Sequence, residues 1–258
     1  LTGLVSLSAS QRTPSQRSPV TLLGLLMLGI MTVVTPQHEA MASDKPSIYV
    51  FLPTSIPPRK LQNYLSEAAP DLKFTVFGRQ KDFAKTLKNT PPDAVLAHKP
   101  VIERLQQDLE QVLQGTRGGK DSQKYVLVSV DQGLDPANFG ALNVGAVDLL
   151  GRRQMPKFVA NLLGVPKIKV KRVTKVEDLL PLLQFSMADA VMLPPDRVEN
   201  FKKKSALNLQ ITAVEAALVG LPSVAVLPNG KRQAVIDAMQ MINAQVMTRM
   251  GVDLWKKL

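Results

Sequence analysis

The chain of 258 residues has no cysteine, two histidines, one tryptophan and only 5% aromatic residues. Each scarcity removes a class of function. Without cysteine there are no disulfides, no thiolate metal sites, no cysteine nucleophile and no lipid-modified cysteine. His38 lies in the first segment, which leaves His98 as the one histidine of the remaining chain. A histidine metal cluster is therefore excluded, and neither a GxSxG elbow nor an HExxH pair occurs. With so few aromatics there is little from which to build a base-stacking platform for single-stranded nucleic acid. The sequence supports neither an enzyme nor a cofactor site, and a binding function is the better expectation.

Long apolar runs are also scarce: there is one. Arg12 and Arg17 precede Val20–Val34, fifteen residues without a charge, and Ala40-Met41-Ala42 supplies small residues before Ser43. This is the pattern of a secretory signal peptide over residues 1–42. A spanning helix needs about 20 apolar residues, so a membrane anchor is the weaker reading. The expected product is a soluble, monomeric, exported protein in the periplasm. Its net charge of +11 would suggest nucleic acid in the cytoplasm; after export it suits an anionic ligand, an anionic membrane surface, or solubility.

Beyond residue 42, short apolar runs alternate with helical periodicity. Ser47–Leu52, Leu72–Phe77 and Asp93–Ala97 read as strands, separated by helices from Pro57 and from Gln80, and a helix over Val101–Leu113 closes the block. Gly115–Gln123 reads as a glycine-rich surface loop, since the Walker spacing fails there. Tyr125–Val130 is a strand, and Val144–Leu150 is another, broken by Gly151-Arg152-Arg153 and followed by a helix with Met155, Phe158, Val159, Leu162 and Leu163 on one face. Lys167–Val173 alternates like a solvated edge strand, Val176–Phe185 is helical, Ala188–Leu193 is a strand, and Pro194-Pro195-Asp196 opens a helix to Phe201. Ala206–Ala213 is expected to be extended, Ser223–Leu227 a last strand, and Lys231–Met247 one amphipathic helix.

The signal segment, three strand–helix units, a crossing strand near Tyr125, a second α/β block and a return near Ala206 resemble in order the periplasmic solute-binding proteins of ABC transporters. The resemblance is greatest to their phosphate/phosphonate-type group of the type II fold. It is carried by IYVFLP, YVLVSV, NVGAVDLLGRR, ADAVMLPP and AVLPNGKRQAVIDAM, with GVDLW after them. It implies an α/β fold of two parallel-sheet lobes joined by two crossing segments. The expected division is residues 43–124 for the first part of lobe I, 125–205 for lobe II with the crossings, and 206–258 for the return to lobe I. It also implies a small-molecule ligand held between the lobes and delivered to an inner-membrane permease.

In an open α/β sheet, ligands bind beyond the carboxyl ends of the strands, where helix starts offer free N–H groups. The candidate ligand residues that follow strands are Thr54, Ser55, His98, Asp131, Gln132, Arg152, Arg153 and Asp196. The phosphonate binders carry a serine- and threonine-rich turn where this chain has LLGRRQM. The arginine pair suits a phosphate-like group or a carboxylate, whereas an otherwise apolar cleft would suit a lipid-like ligand. A sensor or adaptor domain built on the same fold is the further alternative.

Overall fold

A computed structural model describes residues 45–105 and 107–258; the expected signal peptide lies outside the described residues. The first strand, β1 (Ser47–Phe51), is apolar on both faces and runs parallel to β2 (Lys73–Val76) and β3 (Ala94–His98). Helix α1 (Pro58–Ala68) links β1 to β2 and begins with proline in its first turn, where a missing N–H costs nothing. Its buried Leu61 and Leu65 are four residues apart and fix the face that packs. Helix α2 (Gln80–Asn89) buries Phe83 and Leu87 in the same way. Phe51, Phe77 and Phe83 form an aromatic cluster, with ring centroids 5.4 and 5.7 Å apart for the two contacts of Phe83.

After β3 the chain departs from the expected helix over Val101–Leu113. Only α3 (Lys99–Ile102) is helical, and β4 (Glu110–Thr116) follows as a strand. Val112 and Leu113 are adjacent and both fully buried, as suits a strand packed on both faces. The segment expected as a surface loop is instead a tight hairpin. Arg117 and Lys120 exchange both backbone hydrogen bonds, and Gly118 and Gly119 carry φ of 55° and 77°. Two consecutive positive φ values suit a primed two-residue turn that glycine alone adopts without strain.

From that turn the chain enters the second sheet through β5 (Ser122–Val130). There β6 (Asn143–Val147), β7 (Lys169–Val173) and β8 (Ala190–Leu193) are parallel, in the order β7-β6-β8-β5, and β9 (Leu209–Gly220) pairs antiparallel to β5 at the other edge. Lysine-rich β7 is an edge strand, as its alternation suggested. Helix α4 (Met155–Leu163) covers one face; α5 (Leu179–Gln184) and α6 (Pro195–Lys204) cover the other. The extended return is longer than expected, running to Gly220 before β10 (Pro222–Val226) re-enters the first sheet antiparallel to β3.

The expected single helix from Lys231 is two, α7 (Arg232–Gln240) and α8 (Ala244–Arg249). Asn243 makes the break: its side chain accepts from Val246 N at 3.0 Å and caps the second helix. GVDLW then supplies β11 (Leu254–Lys257), which pairs with β4 and buries Trp255. The first sheet is thus six-stranded, β11-β4-β10-β3-β1-β2, and the second five-stranded. Parallel strands form one end of each sheet, β3-β1-β2 and β7-β6-β8, and antiparallel strands complete the other, so both lobes are mixed rather than the parallel sheets expected.

One core layer packs α1, α7 and α8 on the first sheet and another packs α5 and α6 on the second. The third is shared: a single apolar cluster runs from Phe51, Phe83 and Val101 to Leu149, Met155 and Val159. Gly151, at φ 77°, faces the start of α2, since a Cβ there would stand 2.7 Å from Gln80 Oε1.

The crossing itself tolerates no extra atom. A Cβ on Gly115 would meet Val252 Cγ1 at 2.4 Å and the Pro222 carbonyl at 2.6 Å, and the backbone oxygen cannot swing aside. Gly115→Ala should destabilise the protein by about 1–3 kcal/mol, read as a lower urea midpoint with unchanged m-value. Gly133→Ala, where nothing lies within 4 Å of the added carbon, should fall far below that range.

Candidate functional site

Parallel strands in both sheets direct their carboxyl ends to one place. There, Pro53 and Thr54 after β1, His98 at the end of β3, Leu149 after β6 and Pro194 after β8 border one cavity of ≈ 90 Å³.

The floor is apolar. Met155, Phe158, Val159 and Leu162 of α4 face Ala146 of β6 and Met192 of β8, so the helical stripe visible in the sequence is both core and cavity wall. The rim is polar and comes from the crossings and from helix ends. Arg117 and Gln123 flank the hairpin, Asp196 and Arg197 stand in the first turn of α6, and Arg249 closes α8.

His98 is held by a hydrogen bond between Nδ1 and the Gly220 carbonyl at 3.0 Å. A carbonyl only accepts, so Nδ1 carries the proton and, in the neutral ring, Nε2 is a bare acceptor. Part of the ring surface is open to the cavity, yet it sits deep enough that burial pulls its pKa below the usual 6.5, only partly opposed by the Gly220 carbonyl. Tyr125 is the converse case: burial and then the Asp196 charge push its pKa up to about 12, with Arg197 opposing. The phenol therefore remains a donor.

Asp196 Oδ2 accepts from Arg117 Nη1 at 3.2 Å and its Oδ1 faces Gln123 Nε2 at 3.5 Å. Arg249 lies over the Tyr64 ring at 3.7 Å from the centroid. Arg197 is half-buried and makes no ion pair among the described residues.

Of the residues expected from sequence, Thr54, His98 and Asp196 border the cavity. Thr54 spends its hydroxyl locally, bonding Ile56 N and O at 3.2 Å. Ser55 is exposed beside it and outside the lining. Asp131 and Gln132 are at the far end of the second sheet. Because β5 is antiparallel to β8, with Val126 opposite Leu193 and Val128 opposite Val191, the carboxyl end of β5 points away from the cavity.

Arg152 and Arg153 are exposed and outside the lining as well. The expected anion-binding helix start beside them is largely occupied. Gln154 N and Met155 N both donate to the Gly151 carbonyl, Pro156 has no N–H, and Phe158 N donates to Gln154 O. The strand end also carries Asp148, which accepts from Gly151 N at 2.7 Å and pairs with Arg172.

Sequence reasoning missed Tyr125, Arg197 and Arg249. Arg197 had a signal, as the neighbour of Asp196 in the turn after ADAVMLPP. Arg249 had none, because only the packing of α8 brings it to the cavity.

No protein-family profile and no curated protein matches the sequence. Solved structures match over most of its length. A putative L-cystine ABC transporter from Listeria monocytogenes is 12% identical, over 82% of this chain and 98% of that one, with a TM-score of 0.54. The GluR0 ligand-binding core in complex with L-glutamate is 11% identical over 81% and 97%, with a TM-score of 0.52. The substrate-binding protein of an amino acid ABC transporter is 14% identical over 80% and 94%, with a TM-score of 0.51. The chain therefore has the two-lobed, periplasmic-binding-protein-like α/β fold. These neighbours are described by amino acids, so the phosphate/phosphonate group expected from sequence finds no support among them.

Burial of neutral His98 couples stability to pH. Its folded-state pKa is lowered, so its contribution is complete above about pH 6.5 and is lost as the pH falls from there through the folded-state value. His98→Gln should reduce the acid sensitivity: the stability gap between wild type and variant in urea denaturation should be smaller at about pH 5.5 than at about pH 7.5. An unchanged gap would mean the ring is not buried as a neutral group.

Proposed function

We propose that this chain is an exported solute-binding protein that holds a small organic molecule between its two lobes and hands it to an inner-membrane transporter. One observation carries this reading: strand ends and crossings of both lobes converge on a single cavity with an apolar floor and a polar rim. That is where open α/β sheets place ligands.

The structural neighbours support a solute of amino-acid size, being described as proteins of amino acid and L-cystine transport or as an L-glutamate complex. A phosphate-like ligand fits less well, since Arg152 and Arg153 stand outside the cavity and the start of α4 is already hydrogen-bonded. A lipid fits less well too, because pockets for larger ligands run to about 300 Å³ or more and this one measures ≈ 90 Å³. The rim groups bind and orient: neutral His98 and protonated Tyr125 offer an acceptor and a donor, and among the described residues no cluster of side chains could hold a metal ion.

A ligand that binds only the folded protein raises its melting point. At about a hundredfold excess over Kd the gain is about 2.7 kcal/mol, or roughly 5–10 °C for a chain of this size. A thermal-shift screen against amino acids, organic acids, phosphates and lipids should therefore produce a shift of that order with at least one small organic solute. A screen in which phosphates or lipids alone respond would reject the reading.

A further inference from the structure

The balance of charge and apolar surface in the cavity is specific enough to name a ligand class. We infer that the site takes a compact monocarboxylate with an aliphatic or aromatic body and no ammonium group, the carboxylate seated on Arg197. This rests on the reading of the cavity as a solute site.

The charges are unequal. Three arginines reach the cavity against one carboxylate, and that carboxylate, Asp196, is already engaged by Arg117 at 3.2 Å and faces Gln123. An ammonium group would therefore compete with a guanidinium for its only counter-charge. Arg249 spreads its charge over the Tyr64 ring. Arg197 is half-buried with no ion pair among the described residues, and a planar guanidinium is matched in shape by a carboxylate. Tyr125, held protonated beside it, adds a hydroxyl donor to the same anion.

Inorganic phosphate carries no hydrocarbon to set against the apolar surface beneath the rim, whereas a monocarboxylate places one charge at the guanidinium and its body on that surface. Below the rim the floor offers Met155, Phe158, Val159, Leu162 and Met192 and no counter-charge, which suits a hydrocarbon body. The ≈ 90 Å³ of space is small, and 4-methylpentanoate is a compact probe with such a body.

The test is calorimetric titration of the purified chain with 4-methylpentanoate, leucine, 3-methylbutylamine and inorganic phosphate, repeated on Arg197→Ala and Arg153→Ala. The expected result is binding of 4-methylpentanoate at least tenfold tighter than any of the other three. Affinity should fall about ten- to hundredfold in Arg197→Ala and stay unchanged in Arg153→Ala. Circular dichroism of both variants should match wild type, Arg197 being a rim residue. Tighter binding of leucine or the amine, or loss of affinity in neither variant, overturns the ligand class while leaving a solute-binding protein. Absence of binding by all four probes overturns the class, and if the broader thermal-shift screen is also silent the solute-binding reading falls with it.

Discussion

The antiparallel pairing of β5 with β9 is the constraint on which the rest depends. It runs from Ser122–Gly220 to Val130–Leu209, so the two crossings between sheets are bonded to each other and cannot move independently. The pairing slips once: between Lys124 and Val126, β5 advances two residues while β9 takes up five. Such bulges re-aim side chains beside functional sites. Here the irregularity lies opposite Tyr125, which borders the cavity. On the β9 side, the Gly220 carbonyl accepts from His98 and the Leu221 carbonyl from Lys99 N, tying the end of β3 to the crossing.

A second consequence concerns how the lobes meet. Their contact is an apolar core layer shared by α2, α3 and α4, in which Phe83, Ala97, Val144 and Val159 are fully buried. Separating the lobes would expose that layer at about 25 cal/mol per Å² of apolar surface. The cavity is what remains where this packing stops at the strand ends. That origin accounts for a floor of hydrocarbon and for polar groups confined to the rim.

Much of this was legible in the residues, and the failures have identifiable causes. β1, β3, β6 and β8 announced themselves as short apolar runs because strands buried on both faces need apolar side chains at every position. β4 and β11 did not: EQVLQGT and LWKK carry at least as many polar as apolar residues, and they become strands by pairing with β10 and β4. The hairpin at Gly118-Gly119 looked like a loop since glycine permits both, and only the paired backbone of Arg117 and Lys120 distinguishes them. Of the residues expected at the strand ends, Thr54, His98 and Asp196 border the cavity, each at or after the end of a parallel strand. Asp131 and Gln132 lie at the opposite end of the second sheet, because the direction of β5 is not written in its own sequence.

The sequence alone determined the class of the fold, the alternation of strand and helix, and the exclusion of thiol and histidine-metal chemistry, all properties that composition and periodicity carry locally. Tertiary structure decided which charges border the cavity. Arg152 and Arg153, in the turn after β6, are exposed outside it. Arg197 of α6 and Arg249 of α8, far apart in the chain, both reach its rim. Side-chain direction and long-range packing set that outcome, and neither has a period that a sequence can display.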